Sequence, residues 1–261
     1  MIRTLALRTP TLPPATHTNC HVLGRQRLTV VDPASPYPDE QQRVFDWLVG
    51  LGRVERVVLT HQHEDHVGGV EDLRARLGGV PVCAHARTRE LLEGIVRVDE
   101  LLAEGDRLDT DAGAWEVWHT PGHAQGHLCL MLGEDVVCGD MVASEGTIVL
   151  EAPDGDLTDY LDSLARLEAR GGRLHPAHGA AIEDGPAWLR HYITHRNRRT
   201  DQIRASLDRG PATVLEVVER VYGDSIPRQV YPLAGRQVRC HLAWLQEHEQ
   251  VLVEGQHWRR T

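Results

Sequence analysis

The chain has 261 residues, 41% hydrophobic and 25% charged, with a formal net charge of −10. That balance fits a soluble globular protein, and no run approaches the roughly 18 apolar residues of a membrane span. Five cysteines, scattered and never in a Cys-x-x-Cys pair, argue against a disulfide framework and a zinc knuckle. The opening stretch MIRTLALRTPTLPP is broken by Arg8 and Pro10 and is too poor for a secretory signal, so a cytoplasmic location is expected.

Ile2–Leu7, Cys20–Leu23 and Leu28–Val31 read as strands, the last ending at Asp32. In PYPDEQQRVFDWLVGLG, Val44, Trp47, Leu48 and Leu51 fall on one helical face closed by Gly52. Val57-Val58-Leu59 is a buried strand, and the spacing of Val67, Val70, Leu73 and Leu77 predicts a helix beyond Gly68-Gly69. Val80–Ala84 reads as a strand, Thr88–Leu92 as helix, and Trp115–Trp118 as extended. Leu128–Leu132 and Val136–Cys138 form a hairpin turning near Gly133. Leu157, Leu161, Leu164 and Leu167 mark a helix that ends at Gly171-Gly172. This alternation of strands and helices is that of an α/β layered domain.

From about Pro186 the character changes. Residues 1–189 hold 16 arginines against 30 acids, whereas residues 190–261 hold 12 against 8, a weak pointer to a polyanion on the basic side. A polar helix covers roughly Ala187–Leu207, a second opens at Pro211, and a third covers roughly Leu233–Glu247 before a hairpin around Glu254-Gly255. Three helices and a hairpin make a winged-helix pattern. The chain therefore divides into 1–189 and 190–261.

Between Val57 and Gly69, VVLTHQHEDHVGG packs His61, His63, Asp65 and His66 into six positions at a strand end. Imidazole and carboxylate at such spacing are what a borderline ion such as zinc takes as ligands. Further candidates follow at other strand-to-loop boundaries: His123 in WHTPGHAQGH, Asp140 in VVCGDMV and His178 in LHPAHG. His119 and His127 flank His123 and are read as orienting its loop.

These motifs, with Asp32, His-x-His-x-Asp-His at 61–66, His123, Asp140 and His178 in order, resemble the metallo-β-lactamase superfamily over the whole chain. GDMVASEGTIVLEAP, THRNRRTDQI and the winged-helix tail are most similar to its lactamase-β-2-like subgroup. The resemblance implies a four-layer αββα sandwich with a small C-terminal winged-helix domain. It implies His61, His63 and His123 at one metal, Asp65, His66 and His178 at a second, and Asp140 bridging them. Two zinc ions are expected, with iron or manganese as alternatives, and a shared hydroxide as nucleophile. Asp65 would also accept the hydroxide proton, while Asp32 would support a ligand from behind. Two departures stand out. Asp32-Pro33-Ala34 and Pro176-Ala177-His178-Gly179 each place alanine where the family has glycine.

His195 and Arg196 lie on the helix that approaches the active-site mouth in the subgroup and are carried over as substrate contacts. The subgroup resemblance implies cleavage of phosphodiesters in single-stranded RNA. A competing reading is hydrolysis of an activated acyl bond in a thioester, lactone or β-lactam; another is a mononuclear iron dioxygenase acting on persulfides. RNA calls for a basic, aromatic-lined track, and the chain has 5% aromatics and an acidic main domain. The 190–261 segment carries none of the seven ligand candidates and is expected to serve substrate placement or homodimer formation.

Overall fold

A computed structural model describes residues 1–261, with every side chain except that of Asp224. The first sheet comprises β1 (Ile2–Arg8), β2 (His17–Leu23), β3 (Arg27–Val31), β4 (Arg53–Val58), β5 (Val82–His85) and β6 (Glu100–Leu102), in that spatial order. β1, β2 and β3 pair antiparallel, and β3 through β6 pair parallel. Helix α1 (Pro38–Leu51) crosses between β3 and β4; α2 (Glu64–Val67), α3 (Val70–Arg76) and α4 (Ala86–Leu91) follow. The second sheet comprises β7 (Arg107–Thr110), β8 (Gly113–His119), β9 (Leu128–Leu132), β10 (Asp135–Gly139) and β11 (Arg173–Pro176), in the order β11-β10-β9-β8-β7.

Side-chain alternation along the strands generates the layers. Val31 and Val58 point inward to meet Trp115, Val117, Leu130 and Val137 of the second sheet. Their neighbours Val30 and Val57 point outward onto Val44 and Leu48 of α1 and Leu73 of α3. On the other side, Cys129, Met131, Val136 and Cys138 bury against α5 (Leu157–Arg170), through Tyr160, Leu164 and Leu167. Because a strand's side chains alternate with period two, each sheet offers one face to its partner sheet and one to helices. The result is the αββα sandwich expected from the sequence.

Helix α6 (Gly185–Ser206) spans 22 residues without a break. Its early residue Leu189 joins the α5 layer, and its late residue Ile203 joins the C-terminal core. That core is completed by α7 (Val214–Tyr222), α8 (Tyr231–Glu247) and the hairpin of β12 (Val251–Glu254) and β13 (His257–Arg260). Helix α7 starts later than the proline at 211 suggests. Thr213 and Glu216 form a reciprocal capping box that fixes the first turn at Val214.

The proposed division at 189/190 falls inside α6, so this helix belongs to both packing units. No helix among the described residues is long and apolar enough to cross a membrane. All five cysteines are free and buried.

Candidate metal centre

The centre forms where the two sheets open at one rim. β4 delivers Thr60, His61 and His63 from its end. Asp65 and His66 stand on α2, a single helical turn beginning at Glu64 rather than the open loop expected before Gly68. β8 and β9 flank the loop that carries His123, β10 delivers Asp140, and β11 delivers His178. All seven candidate ligands therefore converge from four strand ends.

Three ring nitrogens form a tight triangle: His61 Nε2 to His63 Nδ1 is 3.0 Å, His123 Nε2 to His61 Nε2 is 3.2 Å, and His123 Nε2 to His63 Nδ1 is 3.0 Å. The other nitrogen of each ring settles which of these atoms bear lone pairs. Thr60 Oγ1 donates to Asp32 Oδ2 at 2.6 Å, so it accepts from His61 Nδ1–H at 3.0 Å. His123 Nδ1–H donates to the Val149 carbonyl at 2.9 Å. Asp154 lies 3.6 Å from His63 Nε2. Three lone pairs then face one point. A tetrahedral ion with metal–nitrogen distances near 2.0–2.1 Å needs nitrogens spaced by about 3.3 Å, close to this triangle.

Beside it, Asp65, His66, His178 and Asp140 make a second cluster. His66 Nδ1–H donates to Asp32 Oδ2 at 2.8 Å and His178 Nδ1–H to the His17 carbonyl at 3.0 Å, leaving both Nε2 atoms free to face inward. Asp140 Oδ1 lies 3.5 Å from His66 Nε2 and 3.3 Å from His178 Nε2, while its Oδ2 lies 3.6 Å from His123 Nε2. One carboxylate thus addresses both clusters, one oxygen to each. His66 Nε2 and Asp140 Oδ1 are buried without hydrogen-bond partners. Orphaned donors and acceptors are costly in an interior, and a cation between them would satisfy both. The trios His61-His63-His123, His61-His66-Asp140 and Asp65-His66-His178 could each hold a metal ion.

The electrostatics agree with a site built for positive charge. Burial, reinforced by neighbouring imidazoles, pushes His61 well below the ordinary histidine range and lowers His123 to about 4. Burial also opposes charge on His66, but the carboxylates of Asp140, Asp65 and Asp32 outweigh it and raise its pKa well above the usual value. For Asp140, burial is likewise outweighed, by His178 and His66, and its pKa falls well below the usual carboxylate range.

Asp32 supports the site from behind. Its Oδ1 accepts the Thr60 N–H at 2.8 Å, and its Oδ2 binds both Thr60 Oγ1 and His66. The backbone here is strained: Asp32 has φ 50 and Ala34 has φ 25, a left-handed region where the family's glycine would be at ease. His127 is fully buried, and its Nε2 accepts the Asp140 backbone N–H at 3.1 Å while Nδ1–H donates to Thr120. Gly139 makes this approach feasible, since a Cβ there would collide with the His127 ring. His119 instead stacks on His85 and bonds the Gln125 carbonyl at 2.8 Å.

Several supporting residues, Thr60 and His17 among them, escaped the sequence. Asp154 holds the His63 side and accepts from the Gln125 N–H at 2.9 Å, and Val149 orients His123 through its carbonyl. No motif marks either. A cavity of about 290 Å³ opens over the centre, walled by Pro10, Leu12, Ala15, Val149, Glu145 and Glu151, with Arg236 at its edge.

His195 and Arg196 are not among the residues walling that cavity. They stand on α6 across the 147–149 segment and line a neighbouring cavity. Arg196 is 4% exposed and donates to Gln237 Oε1 at 3.0 Å and to the Ile148 carbonyl at 2.5 Å. Two of its guanidinium nitrogens are thus held by the fold, and Arg196 does not line the metal-centre cavity where a substrate contact was expected.

The metallo-beta-lactamase superfamily profile matches residues 13–178, and that of the beta-lactamase associated winged helix domain matches 213–258. The chain is 32% identical to a beta-lactamase-like protein 2 homolog of Drosophila melanogaster, over 77% of this chain and 71% of that protein. It is also 32% identical to an atrochrysone carboxyl ACP thioesterase of Passalora fulva, over 80% of this chain and 64% of that one. A metallo-beta-lactamase family protein of Thermus thermophilus superposes with a TM-score of 0.82 at 23% identity, covering 100% of this chain and 98% of its own. The chain belongs to the metallo-beta-lactamase superfamily of metal-dependent hydrolases, joined to that family's associated winged helix.

Proposed function

We propose that this hydrolase cleaves an activated acyl bond, a thioester or lactone, on a dinuclear centre held by His61, His63 and His123 on one side and Asp65, His66 and His178 on the other, with Asp140 spanning both. The observation that carries this reading is the make-up of the mouth. Its walls are apolar at Pro10, Leu12, Ala15 and Val149 and acidic at Glu145 and Glu151. The cation at its edge, Arg236, is paired to Glu151 at 2.8 Å. Such walls favour an apolar acyl group and repel a polyphosphate strand.

Divalent ions, zinc above all for this nitrogen-rich donor set, supply Lewis acidity and acidify a water toward neutral pH. The protein's residues do the rest. Asp65, held at its Oδ2 by the Thr18 hydroxyl at 3.4 Å, accepts the water's proton. Asp140 keeps the two ligand sets at fixed separation. Leu12, Pro10 and Val149 exclude water around the acyl chain. The thioesterase in the Passalora fulva relative's name supports the same class of substrate.

The second reading, single-stranded RNA, is favoured by the associated winged helix and the arginine-rich C-terminal segment. Several of those arginines are already paired: Arg190 with Glu168, Arg204 with Asp201, Arg259 with Glu254 and Arg260 with Asp208. The test is turnover of the metal-loaded enzyme on medium-chain acyl thioesters, lactones, a cephalosporin and single-stranded RNA. Thioester or lactone hydrolysis that stops with chelator is expected. RNA cleavage without acyl hydrolysis would overturn the acyl reading.

A further inference from the structure

A second cavity of about 280 Å³ lies behind the metal centre, walled by Tyr222, Ile226, Val230, Leu233 and Ala234 and by four basic side chains, His195, Arg196, Arg199 and His241. No described Asp or Glu side chain lines it. The protein as a whole carries a net charge of −10, so two arginines and no described acid at one cavity set it apart from the average surface. Its volume is near the lower end of small-ligand sites, about 300–1,000 Å³.

Part of the donor capacity inside it is unused. Arg196 is nine-tenths buried and more, its Nε has no hydrogen-bond partner, and it stands 5.2 Å over the Tyr160 ring. Arg199 Cζ stands 4.2 Å from the centroid of the Tyr222 ring, a cation–π contact that does not consume its N–H donors. Both hydrogen bonds of Arg196 go to neutral acceptors, Gln237 Oε1 and the Ile148 carbonyl. A buried guanidinium without a counter-ion is costly, and an anion bound beside it would lower that cost. His241 adds no charge, because burial first, and then Arg196 and Arg199, push its pKa down to about 3.

We propose that this cavity binds a small amphipathic anion, a carboxylate on a medium-length apolar tail, with the head at Arg199 and the tail against Ile226, Val230 and Leu233. Thr147 and Val149 wall both this cavity and the metal-centre cavity. An occupant therefore presses on the segment whose Val149 carbonyl orients His123. The site stands whether or not the acyl reading holds, since its test reads binding and not turnover.

The test is calorimetric titration of octanoate into the metal-loaded, full-length protein, with octanol as the uncharged probe. Arg199→Gln and Val230→Glu are titrated alongside, each first checked by thermal melting for a wild-type fold. Measurable octanoate binding is expected, at least tenfold tighter than octanol and at least tenfold weaker in both variants, as expected for loss of a charge-assisted contact. Absence of binding, equal affinity for octanol, or octanoate affinity unchanged in Arg199→Gln would overturn the proposal; the last result would place the carboxylate on the metal ions instead.

Discussion

Asp140 carries the heaviest demand of any single residue. Two divalent ions a few ångströms apart repel strongly in a low-dielectric pocket, and its carboxylate faces both ligand sets, Oδ1 toward His66 and His178 and Oδ2 toward His123. Asp140→Asn keeps the shape and removes the charge. Elemental analysis should show loss of the metal on the Asp65-His66-His178 side first, and turnover should fall about a hundredfold, the usual cost of one important electrostatic group. Asp65→Asn should weaken the same side but leave the His61-His63-His123 metal in place. A second residue-scale expectation concerns His127, whose ring ties the Asp140 backbone to Thr120. His127→Phe leaves the buried Asp140 N–H unpaired, which costs about 1–3 kcal/mol, while the Thr120 hydroxyl keeps Cys129 Sγ as its partner. Chemical denaturation should register that loss, and metal affinity should fall with it.

At the scale of elements, the short segment 147–149 links the C-terminal helices to the metal centre. Arg196 of α6 and Gln237 of α8 both hold the Ile148 carbonyl, Gln237 at 2.9 Å, and the next carbonyl orients His123. Arg196 also stands over Tyr160, whose backbone packs so closely on Gly122 that no Cβ fits there. Arg196→Met should therefore lower metal occupancy at the His61-His63-His123 site and weaken turnover through kcat more than through KM. Gln237→Leu should do the same less severely, and direct metal titration of both variants checks it. This link was not legible in the sequence. The seven ligand candidates were, because each follows an apolar run that ends in a short motif. Asp154, Val149 and the Arg196–Gln237 pair act across 26 to 91 residues of chain and bear no local pattern. β6 and β7 were missed for a related reason. Glu100-Leu101-Leu102 and Arg107-Leu108-Asp109-Thr110 are short edge strands whose one inward leucine each, Leu102 and Leu108, gives too little alternation to read. The start of α7 was legible through Thr213 and Glu216, but Pro211 offered a competing signal.

At the scale of the whole molecule, acid sensitivity should come from histidines that the fold holds neutral. His21 and His241 are both pushed down to about 3, in each case by burial first and then by neighbouring positive groups. Above their ordinary value of 6.5 both states are neutral and the fold keeps its full stability. As pH falls from there toward 3, the unfolded chain takes up protons that the folded chain refuses, so stability drains across that window. Thermal melts from pH 7.5 to 4 should show the decline, and His241→Leu should flatten part of it. The unbroken course of α6 has a further bearing, on how this architecture could be recombined. A hybrid joined at residue 189 or 190 would splice two foreign halves of one helix and separate Arg196 from the Ile148 carbonyl it serves. A graft that replaces the winged helix alone, leaving α6 intact and keeping glutamine at 237, should fold and retain its metals. The natural seam for domain exchange thus lies after Ser206, not where the composition changes.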